Sequence, residues 1–107
     1  MNTDDLGVEP DRCIDMREVR EGVDAVDRAL IALVDRRFGY MEAAARIKPD
    51  RAAVRDEARK AQVIDNVKKL AGEAGIPVPL VAAMWEMLVE GSIAYEMVKF
   101  CEIDDRP

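Results

Sequence analysis

Histidine is absent from the 107-residue chain, and aromatic residues make up only 5% of it. Without histidine, Ser-His-Asp and Cys-His nucleophilic sites are excluded, and a transition-metal site is disfavoured because imidazole is the usual ligand. Few aromatics, with half the residues apolar and 36% charged, are typical of helical proteins rather than β-sandwiches. The composition therefore predicts an all-α protein with no metal site.

Basic residues are also in deficit, with 16 Lys and Arg against 22 Asp and Glu and a net charge of −6. This charge disfavours partners such as nucleic acid or an anionic membrane surface, because both would be repelled. Cys13 and Cys101 lie far apart without a CxxC motif, which indicates reduced thiols. The N-terminus has no apolar signal region, and no apolar run approaches a membrane span. We expect a soluble cytoplasmic protein.

Glycine and proline divide the chain into a few segments. Residues 1–13 lack hydrophobic periodicity and are predicted to be a flexible leader, residues 14–103 a single helical domain, and residues 104–107 a tail. The domain contains three predicted helices. The first begins after a capping Asp15 and stops at Lys48 before Pro49, the second runs from about Val54 to Ala71, and the third from about Val78 to Glu102.

The first predicted helix is too long for one small globule. Its apolar residues follow the alternating four- and three-residue spacing of a packed helical seam: Val19, Val23, Val26, Leu30 and Leu33. A helix of about 34 residues is roughly 50 Å long, whereas a globule of this size has a radius of gyration of about 13 Å. A second copy would cover the projecting seam, which predicts an intertwined, antiparallel homodimer.

Two cations lie on the apolar side of this helix. Arg37 occupies the next seam position after Leu33, and Lys48 shares its face because eleven residues of helix return to within about 20°. On the third helix Ser92 and Glu96 continue the stripe of Leu88, so that stripe also becomes polar. These groups could form a structural ion pair or set the helix register, or they could line a polar cavity.

Arg20 restricts how a polar cavity could be built. It lies seventeen residues before Arg37, or roughly 25 Å along the helix, which is too far for one small molecule to bridge. An antiparallel partner could bring Arg20 of one subunit near Arg37 of the other. Guanidinium groups suit carboxylates, so the residues alone favour two symmetric, cation-rich pockets for a small dicarboxylate, each built from both chains.

Three segments resemble the all-helical (type II) chorismate mutase family, which includes isochorismate-pyruvate lyases. They are REGVDAVDRALIALVDRRFGYMEAAARIK at residues 20–48, VRDEAR at residues 54–59 and SIAYE at residues 92–96. The similarity covers about residues 15–102. It implies the intertwined three-helix dimer and an isomerase that rearranges chorismate to prephenate, toward phenylalanine and tyrosine. No cofactor is expected, because this pericyclic reaction needs only orientation and electrostatic stabilisation.

The resemblance also assigns site residues by position. Lys48, Glu96 and Arg37 are the expected catalytic residues, with Lys48 donating to the ether oxygen of chorismate. Arg37 would hold substrate carboxylates. The remaining substrate-binding residues would be Arg20 of the partner subunit and Arg59 at the carboxylates, Asp56 near the ring hydroxyl, and Ser92 in the pocket wall.

Two positions depart from the usual family pattern. Lys60 stands where a glutamate often helps bind the substrate hydroxyl. Glu96 stands where many members carry glutamine, and it must be protonated to donate a hydrogen bond as glutamine does. Two alternatives to the mutase stay open: an isochorismate-pyruvate lyase on the same fold, which forms salicylate, and a non-catalytic helical dimer or regulatory module.

Overall fold

Three α-helices make up most of the protein. The computed structural model describes residues 6–104, and within that range it contains no β-strand. Helix α1 spans Met16–Ile47, α2 spans Glu57–Ala74 and α3 spans Val78–Asp104. The predicted all-α class, with three helices and a very long first one of 32 residues, is confirmed. The intertwined dimer stays a prediction, because one chain is described.

The ends of α1 lie where the sequence predicted them. Asp15 caps the N-terminus, since its Oδ1 accepts a 2.8 Å hydrogen bond from the backbone N–H of Glu18. At the other end the Lys48 N–H still donates to the carbonyl of Ala44 at 2.9 Å. Pro49 follows and cannot continue the helix, so Lys48 is left at the exit of α1.

Helix α2 begins later than predicted, and the start at Val54 was wrong. Residues Arg51–Ala53 instead form a 3-10 turn, which Asp50 caps by accepting from the Ala53 N–H. Asp56 then caps α2 by accepting from the Arg59 N–H at 3.0 Å. An N-cap residue has extended backbone, so the chain cannot be helical through Asp56.

The end of α2 also differs from the prediction, because the helix runs to Ala74 rather than Ala71. It stops at Gly75, which adopts the left-handed conformation with φ of 74°. The Ile76 N–H then donates to the Ala71 carbonyl at 3.1 Å, as in the common glycine-terminated helix end. Helix α3 starts almost at once, so α2 and α3 form a helical hairpin.

The chain divides into two compact units, one up to Gly39 and one from Tyr40. In the first unit, a 3-10 turn at Pro10–Arg12 precedes α1, and Gly7 lies beside the backbone of Gly22. Residues 1–5 of the predicted leader and 105–107 of the predicted tail lie outside the described residues. Asp104, where the predicted tail begins, is the last residue of α3. The proposed segment boundaries stay predictions.

The second unit has a small buried core. Ala45 of α1, Val54 of the connection and Phe100 of α3 are its most enclosed apolar residues, at 2%, 2% and 5% exposure. Three half-buried residues of α3 pack against them: Ile93, Met97 and Ile103. Helix α2 packs along α3. The core thus fixes the end of α1 and the connection against α3.

One helix is long and apolar enough to cross a membrane by length and composition alone, over Val78–Ile103. The expectation that no run approaches a membrane span missed it, because isolated charged residues interrupt every continuous apolar run in this segment. Core helices of soluble proteins pass the same test. The helix also carries two buried polar side chains, Ser92 and Glu96, and these face the candidate site.

Candidate functional site

Lys48 lies in the second unit, at the exit of α1. Its Nζ lies 2.6 Å from Oε2 of Glu96 and donates a second hydrogen bond of 3.2 Å to the backbone carbonyl of Val54. The Lys48 side chain keeps 27% of its surface exposed, whereas that of Glu96 keeps 5%. One face of the ammonium is therefore held by the protein, and part of the side chain can still be reached from solvent.

Ser92 and Glu96 occupy successive turns of α3 and are the two buried polar residues among those described, with 3% and 4% exposure. A buried carboxylate is costly without a partner, and here Lys48 provides one. The Ser92 Oγ donates to the carbonyl of Leu88 at 2.6 Å. This bond turns the hydroxyl back onto its own helix and satisfies it, as is common for serine within helices.

Asp56 and Arg59 lie at the start of α2, and both are exposed. The Asp56 carboxylate is used as the helix cap, which fixes its position. The Arg59 guanidinium donates to Oε1 of Gln62 at 2.6 Å along the surface of α2. In this chain, then, Asp56 has a structural task in addition to any contact with a ligand, and Arg59 is held by its own helix.

A network of ion pairs, which the sequence did not reveal, surrounds Glu90 of α3. Both terminal nitrogens of Arg55 donate to the Glu90 carboxylate, at 2.7 and 3.1 Å. Lys60 of α2 donates to the same carboxylate at 2.8 Å. Lys60 also contacts Glu86 at 2.6 Å. The hydrogen bonds from Arg55, and then the one from Lys60, lower the pKa of Glu90 to about 2.

Glu86 and Glu90 act in the opposite direction on their basic partners. The hydrogen bond to Glu86, followed by that to Glu90, raises the pKa of Lys60. The Lys60 side chain is only 18% exposed, so this lysine is engaged along α3. A signal for the network was present in the sequence, since Glu86 and Glu90 are one helical turn apart, but nothing in the sequence indicated which basic residues would reach them.

Arg20 and Arg37 belong to α1 in the first unit. Arg20 is exposed and Arg37 is half-buried with an interaction of its own. The predicted seam residues of this unit are uncovered in the single chain. Their exposed fractions are 37% for Val19, 52% for Val23, 41% for Val26, 49% for Leu30 and 51% for Leu33.

The first unit also contains an apolar groove of about 500 Å³ between residues 6–13 and the start of α1. Its charged lining residues, Glu9, Glu18 and Asp27, are all acidic. These carboxylates would repel a dicarboxylate, so the groove does not suit the predicted ligand. The pair of Lys48 and Glu96 is the better candidate for chemistry.

The sequence matches a known protein family over most of its length. Residues 19–97 match the family described as chorismate mutase type II. The chain belongs to this family. The matched range contains Lys48, Glu96 and Ser92, and also Arg20 and Arg37. The predicted family resemblance is thus confirmed.

One curated relative of this type II chorismate mutase family protein is an isochorismate pyruvate lyase from Pseudomonas aeruginosa. The two sequences are 29% identical over 91 residues, which cover 85% of this chain and 89% of the lyase. Family membership is therefore established across most of the chain. The description of the family names a mutase, whereas this relative is named as a lyase.

The type II site residues predicted from the sequence fall into three groups in the structure. Lys48 and Glu96 are in direct contact, and Ser92 lies one turn before Glu96 on the same helix. Asp56 and Arg59 lie at the start of α2 and bond within it. Arg20 and Arg37 lie on α1 in the other unit. The roles assigned to all seven residues remain predictions.

Proposed function

We propose that this protein is a chorismate mutase, a cytoplasmic isomerase that converts chorismate to prephenate without a cofactor. The observation that carries the proposal is the contact of Lys48 with the buried Glu96, at the position where the family resemblance expects the ether oxygen of the substrate to bind. A partly exposed ammonium next to a buried carboxyl group can serve a breaking C–O bond, because it supplies positive charge where the oxygen becomes electron-rich.

The reaction is a rearrangement within one molecule, so the protein has no bond of its own to make or break. Lys48 donates a hydrogen bond to the ether oxygen as its negative charge grows. Its contacts with Glu96 and the Val54 carbonyl fix the direction of the ammonium before substrate arrives. Such preorganisation stabilises the transition state without reorganisation during the reaction.

Glu96 has a second proposed role, which depends on its proton. Protonated Glu96 donates a hydrogen bond to the ether oxygen, whereas an ionised carboxylate can only accept one. Ser92, also buried on α3, forms part of the pocket wall. Asp56 holds the region of the ring hydroxyl, and its position is set because it caps α2.

The substrate carboxylates are assigned to arginines: Arg37 and Arg59 of one subunit, and Arg20 of the partner subunit. Arginine forks bind carboxylates with two parallel hydrogen bonds and so fix orientation as well as charge. Holding chorismate in its folded conformer accounts for much of the catalysis expected in a reaction of this kind. Arg59 would exchange its bond to Gln62 for a substrate carboxylate.

A homodimer is part of this proposal, and the uncovered seam of α1 supports it. Five apolar residues at seam spacing, each 37–52% exposed, form a continuous stripe in the single chain. Contiguous exposed apolar surface of this kind marks a protein interface. The same seven-residue repeat on a second copy provides a matching surface.

An isochorismate-pyruvate lyase is the second candidate, and the relative named as such at 29% identity favours it. The segment VRDEAR at residues 54–59 resembles the mutases more than the lyases, and this resemblance supports the mutase. The deciding experiment incubates the purified protein separately with chorismate and with isochorismate. Prephenate from chorismate supports the mutase, and salicylate with pyruvate from isochorismate, formed faster than prephenate, refutes it.

A non-catalytic dimer is tested in the same assay. If the protein only binds or assembles, neither substrate is converted, and replacing Arg37 with Met leaves the fold intact or more stable. If it is an enzyme, Arg37→Met lowers turnover by orders of magnitude while the dimer persists. Sedimentation of the variant beside the wild type shows whether assembly is kept.

A further inference from the structure

Glu90 is joined to the site through the chain segment that supplies an acceptor to Lys48. The carbonyl of Val54 accepts from Lys48 Nζ at 3.2 Å, and the next residue is Arg55, whose guanidinium forks onto both oxygens of Glu90. The peptide group that receives the lysine therefore lies directly between a buried Val54 side chain and an anchored Arg55 side chain. Its orientation is fixed from both ends.

The anchor lies on the helix that also carries the site carboxyl. Glu90 is two residues before Ser92 and six before Glu96 on α3. A helix is stiff over this distance, about 9 Å of rise. The pair of Arg55 with Glu90 therefore fixes the position of the Val54 carbonyl relative to Glu96. The two acceptors of Lys48 are thereby held in a fixed relation to each other.

The geometry of this ion pair differs from that of an ordinary surface salt bridge. Arg55 and Glu90 are 45% and 41% exposed, and exposed pairs generally contribute little to stability. A bidentate guanidinium–carboxylate pair, however, fixes both distance and plane. It is therefore expected to place the backbone, in addition to a small and salt-sensitive contribution to the free energy of unfolding.

We infer that Glu90 is a positioning residue for the Lys48 ammonium, acting through Arg55 and the Val54 carbonyl. The inference rests on the proposed function, since it names what directs the proposed catalytic lysine. Glu86 provides a matched comparison. It is a glutamate on the same helix one turn earlier and binds the same Lys60 at 2.6 Å, while the fork of Arg55 is on Glu90.

The test compares Glu90→Gln with Glu86→Gln in steady-state turnover of chorismate. Displacement of a catalytic group by about 1 Å can lower a rate by up to about 100-fold, so we expect Glu90→Gln to reduce kcat by at least about tenfold. KM should change little, because substrate carboxylates are bound elsewhere. Glu86→Gln should leave kcat unchanged. Equal effects of the two substitutions would overturn the inference.

A second measurement separates positioning from a general structural role. If Glu90 acts through Lys48, Glu90→Gln should cost no further activity in a Lys48→Met background, because the group it positions is gone. If the losses in the double variant are instead additive, Glu90 acts by another route and the inference fails. Glu90→Asp, which keeps the charge, should recover part of kcat.

A readout independent of turnover distinguishes failure of this inference from failure of the proposed function. The 15N resonance of the Lys48 ammonium, identified by its loss in Lys48→Met, reports the hydrogen bonds of that group. It should shift in Glu90→Gln and stay in place in Glu86→Gln. If wild-type protein converts neither chorismate nor isochorismate, the proposed function is lost, while an unshifted resonance in Glu90→Gln overturns the positioning role.

Discussion

The ammonium of Lys48 and the carboxylate of Glu96 meet at 2.6 Å, although 48 residues separate them in the chain. One lies at the exit of α1 and the other is buried in α3. The contact therefore depends on the packing of the second unit, through Ala45, Val54 and Phe100. It neutralises a buried charge, and under the proposed function it also directs the ammonium toward substrate; substitution can separate these two roles.

Replacing Lys48 with Met should lower both stability and turnover. It leaves the buried Glu96 carboxylate without its cation, which we expect to cost about 1–3 kcal/mol, less than a fully buried pair because Lys48 is 27% exposed. Adding Glu96→Gln should restore most of the stability, since a neutral amide needs no counter-charge, but not the activity. Urea unfolding and a prephenate assay measure the two quantities. Recovery of activity in the double variant would contradict the catalytic role of Lys48.

The proposed role of Glu96 as a hydrogen-bond donor can be tested by giving the position a permanent donor. An amide donates to an ether oxygen, whereas an ionised carboxylate can only accept, so Glu96→Gln should raise kcat in the prephenate assay. Glu42→Gln is the control, an exposed glutamate whose carboxylate accepts from the Tyr95 hydroxyl at 2.6 Å, and it should leave kcat unchanged. A lower kcat in Glu96→Gln would contradict the donor role.

Acid unfolding should report the ion pairs of Glu90. The pKa of Glu90 is lowered from its ordinary value near 4.5 to about 2 by Arg55 and then Lys60. The stabilising contribution is therefore complete above about pH 4.5 and is lost as pH falls toward about 2. Urea titrations between these values should show a shallower decline for Glu90→Gln than for wild type. Because the pair is exposed, added salt should reduce the difference between the two proteins. Identical declines of stability with falling pH would contradict the lowered pKa of Glu90.

The seam of α1 can be tested by placing the same charge on two faces of the helix. Leu30→Asp puts a carboxylate in the apolar stripe, where Leu30 is 49% exposed in the single chain. It should dissociate the proposed homodimer and lower the thermal midpoint of the protein, because an unpaired charge would be buried at the interface. Arg28→Asp, two residues earlier and exposed, faces roughly away from the stripe and should leave assembly intact. Sedimentation equilibrium measures the oligomeric state of both variants. A dimeric Leu30→Asp protein would contradict the proposed interface.

The sequence was a good guide to the helices and to the residues that carry charge. Periodic apolar spacing identifies a helix over many residues, and Asp15 and Pro49 mark the ends of α1 by local chemistry. The start of α2 was misplaced because Val54 fits a helical stripe, whereas Asp50 and Asp56 each cap a separate turn. Apolar spacing does not distinguish a core residue in a connection from one in a helix.

The sequence left open a pairing of Glu96 with Lys48 or with Arg37, and packing around Phe100 brings Lys48 to Glu96 within the second unit. The fork of Arg55 on Glu90 was not predicted, because VRDEAR contains two arginines and nothing local indicates which of them turns toward α3. Long-range partners of flexible side chains are set by tertiary structure, which spacing along one helix does not encode.

The hydrogen bond from Lys48 to the Val54 carbonyl places part of this site in a peptide group. A backbone oxygen is unchanged by any exchange of side chain, so alanine scanning at position 54 would register only lost packing. Chemical protein synthesis offers direct access, because an ester in place of the Val54–Arg55 amide weakens that carbonyl as an acceptor while keeping every side chain. Position 54 can thus vary among residues that fill the same volume, and the acceptor remains.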